Sequence, residues 1–131
     1  CRRCTRKHQG VDLTKVGGGT LGTKVYASAS GRVAVVIYHS SCGGNQVYIN
    51  HVIKGKNYMT VYKHLLTYRV KVGQLVTPNT VIGYVGGSRT KTKWDHCSTG
   101  PHLHFETAHG HYTTNYYALG RTFNPTSVIN F

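Results

Sequence analysis

Carboxylates are scarce in this sequence. Its 131 residues include 16 Lys and Arg but only 3 Asp and Glu, so the formal net charge is +13 with the histidines neutral. A hydrolase that works with a pair of tuned carboxylates, as most glycosidases do, has almost nothing to draw on here. The 9 histidines are left to carry most of any acid–base or metal chemistry.

Long apolar runs are missing as well. No segment approaches the roughly 20 apolar residues of a membrane-spanning helix, and no charged start leads into the apolar stretch of a signal peptide. We therefore expect a mature or excised soluble domain without a membrane span. A chain of 131 residues fits one domain with a single core, so we expect residues 1–131 to fold together, as a monomer.

The cations are spread along the chain rather than gathered in one tail. They occur in the short clusters 2-RRCTRK-7, 54-KGK-56, 69-RVK-71 and 89-RTKTK-93. A basic surface of this kind concentrates polyanions around it. Nucleic acid and anionic wall polymers are the expected classes of partner, and a solvated surface without a specific partner is the alternative.

The cysteines are Cys1, Cys4, Cys42 and Cys97, and they permit several disulfide pairings or a metal role. A zinc ribbon needs a second close pair, whereas Cys42 and Cys97 are far apart in sequence. Because Cys42 lies in a glycine-rich turn and Cys97 lies just ahead of a histidine pair, we expect a Cys42–Cys97 bridge, with the other two cysteines as the remaining pair. Such bridges indicate an oxidising compartment outside the cytoplasm.

Short runs rich in Val, Ile, Tyr and Thr alternate with turn residues along much of the chain. They predict β-strands at 24-KVYA-27, 32-RVAVVIY-38, 46-QVYINHVI-53 and 58-YMTVYKHLL-66. Two further short strands are predicted on either side of a turn at Pro78–Asn79. No segment shows a sustained helical period, so the prediction is an all-β domain in which 113-TTNYYALG-120 is the one candidate for a short helix.

Toward the end of the chain, His102 and His104 flank a single leucine within the stretch STGPHLHFE. In a strand, side chains at positions i and i+2 point to the same side of the sheet. We therefore expect Leu103 and Phe105 to face the core. The two histidines and Glu106 are expected to face a cleft.

Near the start of the chain, His8 and Asp12 lie on either side of a glycine, which lets both side chains reach one ion. Alone the pair is weak evidence, since a histidine near an aspartate is common. Together with one histidine of the later pair it gives three ligands and leaves a fourth position for water, the arrangement of a catalytic zinc site. The other histidine and His64, in the strand-like stretch YKHLL, are then candidate acid–base groups, although a lone strand histidine is more often structural.

In order along the chain, the motifs are HxxxD, YxHL, KxGxxV and STGPHLHFE. This set resembles the M23 family of zinc metallopeptidases, of the lysostaphin type, over about residues 8–130. The resemblance implies an antiparallel β-sheet core of the barrel-sandwich hybrid type, with long loops that form a groove. It also implies one Zn²⁺ ion and endopeptidase cleavage of peptidoglycan peptides.

Residue by residue, the resemblance assigns the zinc ligands to His8, Asp12 and His104. It assigns the two catalytic histidines to His64 and His102. The implied location is extracellular, in the cell wall or the periplasm, or on a phage virion.

Three features depart from the family pattern. No tyrosine precedes the first ligand within residues 1–7, the loop 87–97 is longer and more basic than the usual glycine turn, and Asn79 stands where a glycine is common. The alternative function is a zinc-stabilised basic module that binds nucleic acid or an anionic wall polymer without catalysis. For Glu106, orientation of a metal ligand and a salt bridge to one of the cations are both open, and Asn45 is expected to be a turn residue.

Overall fold

The fold was analysed in a computed structural model of the chain. The structure describes residues 21–40, 42–87, 100 and 102–110, and the backbone alone of 11–13 and 122–123. Nine strands and no helix occur in these ranges. The search of the same residues for a helix long and apolar enough to cross a membrane found none.

All strand pairs are antiparallel and belong to one curled sheet. The main path runs β1-β8-β5-β4-β3-β6, while β7 joins β5 to β2 and β9 lies against β8. The strands are β1 (Val11–Leu13), β2 (Lys24–Tyr26), β3 (Gly31–Ser40), β4 (Gly44–Ile53), β5 (Lys56–Tyr68), β6 (Leu75–Val76), β7 (Val81–Val85), β8 (Leu103–His109) and β9 (Thr122–Phe123). The predicted all-β antiparallel fold is confirmed, and the candidate helix at 113–120 lies outside the described residues.

Two turns shape the middle of the sheet. Lys54 and Gly55 alone connect β4 to β5, and their φ angles of 52° and 77° are those of a two-residue hairpin turn that matches strand twist. The predicted turn at Pro78–Asn79 lies between β6 and β7, and it is closed by a hydrogen bond from the amide of Thr80 to the carbonyl of Thr77 at 2.9 Å.

Alternating side chains build an apolar cluster on each face of the sheet. On β4, Val47 and Ile49 join the larger cluster and Tyr48 joins the smaller one. On β8, Phe105 lies in the larger cluster and Leu103 packs against it, as predicted. On the opposite face of β8, the polar side chains of His104 and Glu106 are buried. This face is therefore less open than the expected cleft.

A buried chain of hydrogen bonds crosses the larger cluster at Tyr62, which is 1% exposed. Its hydroxyl lies 2.9 Å from that of Thr60 and accepts from the amide of Ser28 at 3.0 Å. The ring of His51 extends the chain, with Nε2 at 2.7 Å from the Thr60 hydroxyl and Nδ1 donating to the carbonyl of Ser30 at 2.9 Å. Burial raises the pKa of the Tyr62 phenol above its ordinary value of 10.0, because the charged form would lose its hydration.

We expect Tyr62→Phe to lower the free energy of unfolding by about 1–3 kcal/mol near neutral pH, because it leaves buried partners unsatisfied. The unfolded chain ionises Tyr62 at its ordinary pKa of 10.0, whereas the folded chain keeps the proton to higher pH. The free energy of unfolding of the wild type should therefore fall above pH 10.0. The difference in this free energy between wild type and variant should narrow over the same range. Urea unfolding across the alkaline range measures both effects, and Tyr26→Phe, at an exposed position, should show neither.

Candidate active site

Three of the five predicted site residues have described side chains, and the structure brings them together. The ring centroids of His64 and His102 are 4.6 Å apart, and those of His64 and His104 are 5.9 Å apart. His64 and His104 are 7% and 6% exposed. The cluster forms where β5 and β8 lie side by side, and His102 immediately precedes β8.

A β-bulge in β5 sets the position of His64. In the pairing of β5 with β4, Leu65 lies opposite Asn45 and Tyr62 opposite Val47, so two residues, Lys63 and His64, face a single residue of β4. His64 adopts a φ of +63°, which is uncommon for a residue other than glycine. Simple alternation predicts one face for Tyr62, His64 and Leu66, and it is wrong here because the bulge shifts the alternation by one residue.

Gly86 connects the two predicted catalytic histidines through its own backbone. Its amide donates to the carbonyl of His64 at 2.8 Å, and its carbonyl accepts from the amide of His102 at 3.3 Å. A Cβ on Gly86 would lie 2.7 Å from the His64 carbonyl oxygen and 2.5 Å from the amide nitrogen of Leu66. Only a glycine therefore fits at this junction without moving the backbone.

Asn45 supports the bulge from β4. Its side chain is buried, with Oδ1 accepting from the amide of His39 at 2.9 Å and Nδ2 donating to the carbonyl of Leu66 at 3.0 Å. The preceding turn contributes as well, since the carbonyl of Gly43 accepts from the amide of His64 at 2.7 Å. Asn45 lies at the start of a strand, and its side chain satisfies backbone groups.

Hydrogen bonds determine which ring nitrogen of two histidines carries the proton. Nε2 of His104 lies 2.6 Å from Oε1 of Glu106, a carboxylate that can only accept, so Nε2 donates and Nδ1 of the neutral ring carries the lone pair. Nδ1 of His102 lies 2.7 Å from the carbonyl oxygen of Gly100. Nδ1 is thus the donor in His102, and the lone pair of its neutral ring is on Nε2.

Glu106 makes a contact that fits each of the two roles that the sequence leaves open. Its side chain is 1% exposed, and the same Oε1 that holds His104 lies 3.4 Å from Nζ of Lys63. Lys63 was not among the residues predicted from sequence. Its position opposite His104 follows from the register of β5 and β8, which no local pattern reveals.

The remaining predicted ligands are placed in part. The backbone of β1 pairs with β8 so that Asp12 lies directly opposite His104. The side chain of Asp12 and all of His8 lie outside the described residues. Within the described part of the chain, no group of three His, Cys, Asp or Glu could hold a metal ion, so the predicted ligand set is not tested by this structure.

Comparison with known proteins gives the family. The family model described as Peptidase family M23 matches residues 6–118. The chain belongs to this family.

Relatives of this M23 chain include proteins that are named as enzymes. An uncharacterised metalloprotease of Haemophilus influenzae is 36% identical over 94% of this chain and 21% of its own length. The peptidoglycan DD-endopeptidase ShyA of Vibrio cholerae is 38% identical over 76% of this chain and 20% of its own length. The chain therefore spans about a fifth of the length of these relatives.

Solved structures share the fold. The catalytic domain of the antimicrobial peptidase lysostaphin from Staphylococcus simulans superposes with a TM-score of 0.70 at 28% identity, covering 93% of this chain and 78% of that one. A zinc-containing peptidase from Vibrio cholerae gives a TM-score of 0.58 at 35% identity, covering 76% of this chain and 26% of that one. The curled antiparallel sheet of this M23 chain is thus the lysostaphin fold.

We expect Gly86→Ala to separate the rings of His64 and His102 and to lower the free energy of unfolding by about 1–3 kcal/mol, since the added methyl meets backbone atoms that cannot rotate away. NMR signals of the two rings measure the displacement, and urea unfolding measures the stability. Gly55→Ala is the control: it strains a positive-φ turn in open space at the distant hairpin. It should cost stability and leave the ring signals unchanged.

Proposed function

We propose that this domain is a zinc-dependent endopeptidase that hydrolyses peptide bonds in bacterial peptidoglycan, in a stem peptide or a cross-bridge. The observation that carries the proposal is the histidine cluster in a chain of the M23 family, with His64 and His102 4.6 Å apart and His104 beside them. Curated relatives named as peptidoglycan endopeptidases support the substrate class.

We assign the zinc ligands to His8, Asp12 and His104. The described geometry fits this assignment at His104, whose hydrogen bond to Glu106 leaves the lone pair on Nδ1 for a metal. The backbone pairing of Asp12 with His104 supports a shared site. Two imidazoles and one carboxylate are a common donor set for zinc, and three protein ligands leave one position open for chemistry.

The chain's own residues would then move the proton. Zinc, when bound, supplies Lewis acidity toward the scissile carbonyl and toward water. His102 donates through Nδ1 to the carbonyl of Gly100, so its Nε2 is the acceptor for a proton from the attacking water. His64, close by and almost fully buried, is placed to donate a hydrogen bond to the negative charge that develops on the carbonyl oxygen.

The substrate places the enzyme outside the cytoplasm, in the cell wall or periplasm, in the extracellular space or on a phage virion. The proposed Cys42–Cys97 disulfide agrees with such a compartment. Cys42 lies in the described turn before β4, and the other three cysteines lie outside the described residues, so the pairing stays a prediction.

Zymography on purified cell walls tests the proposed function. We expect a clearing zone that a chelator abolishes and added Zn²⁺ restores. His102→Ala should lower hydrolysis by about 10²–10⁴-fold, the usual contribution of a general base, while the variant still binds zinc. The non-catalytic basic module would instead be favoured if the protein binds walls or nucleic acid without clearing, and if neither the chelator nor His102→Ala changes that binding.

The basic surface supports a second component of the proposal, attraction to anionic wall polymers. Among the described residues, the Lys and Arg side chains with large exposure are Lys24, Arg32, Lys54, Lys56, Arg69 and Lys71. The carboxylate ion pairs between described residues all involve Glu106, so none of these six is neutralised there. An unneutralised positive field raises the local concentration of a polyanion.

We expect Lys24→Gln/Arg69→Gln and Lys54→Gln/Lys56→Gln each to weaken binding to cell walls that carry teichoic acid. The binding should also fall as salt rises, because ions screen exposed charges. Sedimentation with wall fragments measures binding, and hydrolysis of a short soluble stem peptide should not change. Equal wall binding by wild type and both double variants at low salt would contradict the attraction.

A further inference from the structure

Glu106 is a buried carboxylate in a chain that has only 3 acidic residues. Its side chain is 1% exposed, and its Oε1 contacts both Nε2 of His104 at 2.6 Å and Nζ of Lys63 at 3.4 Å. A buried ion pair is a weak way to stabilise a fold, because apolar side chains of similar size often serve as well or better. Its position beside the proposed metal ligand indicates a role in the site.

The sheet register explains how Lys63 reaches the carboxylate. In the pairing of β5 with β8, Lys63 lies opposite His104 and Val61 lies opposite Glu106. Diagonal neighbours in an antiparallel pair are about 7–8 Å apart, which a lysine side chain spans. Lys63 therefore extends along β8 past His104 to the carboxylate, and the three side chains share one face of the sheet.

We propose that Lys63 and Glu106 form a positioning pair, which fixes the ring of His104 so that Nε2 is held by the carboxylate and Nδ1 is presented to the metal. The inference rests on the proposed function, in which His104 is a zinc ligand. Glu106 selects the tautomer and the ring orientation. Lys63 supplies the counter-charge and holds the carboxylate in place, and neither side chain touches the substrate.

Zinc affinity, measured by competition with a chromophoric chelator, is the first readout. We expect Lys63→Met/Glu106→Met to weaken zinc binding by about 10–100-fold, the usual effect of losing the partner that orients a ligand. Glu106→Gln keeps an oxygen acceptor and should lose less, and Lys63→Arg should stay near wild type. Lys56→Met, which removes one exposed charge from the same strand, is the matched control and should not change the affinity.

Stability separates a positioning role from a purely structural one. Lys63→Met alone leaves a buried carboxylate without this counter-charge and should lower the melting temperature of the metal-free protein. The double variant removes both charges, so its melting temperature should recover toward wild type while its zinc affinity stays low. If affinity recovers together with stability, the pair is structural and the positioning role is overturned.

The ring nitrogens of His104 give a readout that needs neither metal nor activity. In metal-free wild type, nitrogen NMR shifts should show a proton on Nε2, and in Lys63→Met/Glu106→Met they should show both tautomers. If the double variant does not fold, Glu106→Met alone is compared in the same way. A proton that stays on Nε2 in a folded variant without the carboxylate would overturn the proposal.

His104→Ala distinguishes failure of this inference from failure of the proposed function. If His104→Ala loses zinc while the double methionine variant binds it as wild type does, the positioning role is wrong and the zinc site stands. If His104→Ala binds zinc with wild-type affinity, the ligand assignment is wrong, and the positioning role falls with it.

Discussion

The candidate active site depends on one irregularity, the insertion of an extra residue into β5 at Lys63 and His64. In an uninterrupted strand, His64 would point to the face of Tyr62 and the larger apolar cluster, away from His104. The bulge turns it to the face of His104. A φ of +63° at His64 carries a conformational cost, which the hydrogen bonds from the neighbouring backbone offset.

The second constraint is electrostatic. In the proposed function, a chain with a net charge of +13 holds a divalent cation among its histidines, which requires a local charge that differs from the average. Glu106 provides that difference, since it is buried beside His104 and close to the backbone position of Asp12. Lysine in the same place is tolerated because its ammonium group lies 3.4 Å from the same carboxylate oxygen that contacts the ring. Because acidic residues are scarce in this chain, the single carboxylate of Glu106 has a large influence on the local charge of the site.

Much of the fold could be predicted from sequence because strand signals are local. The runs of β-branched residues, the turn at Pro78–Asn79 and the core-facing pair Leu103 and Phe105 all appear where the pattern places them. His102 and His104 could be predicted as a pair for the same reason, because side chains two residues apart in a strand point to the same face of the sheet. Pattern and structure agree wherever the strand is regular.

Other features depend on register, which a single sequence does not contain. The alternation in β5 fails at His64 because a bulge is decided by how β4 and β5 fit together, with Asn45 of β4 and Gly43 of the preceding turn supplying hydrogen bonds. Lys63 is not predictable from the sequence for the same reason, since it lies far from His104 in the chain and opposite it in the sheet. The contribution of Gly86 is not visible in the sequence either, because its two backbone partners, His64 and His102, lie elsewhere in the chain.

Gly86 also has a mechanical consequence. Because a single residue accepts a hydrogen bond from the amide of one histidine and donates to the carbonyl of the other, displacement of its backbone carries His64 and His102 in the same direction. The separation of the two histidines is therefore set in part by the position of this one residue. Two histidines that lie far apart in the chain are thus coupled through the backbone of one glycine.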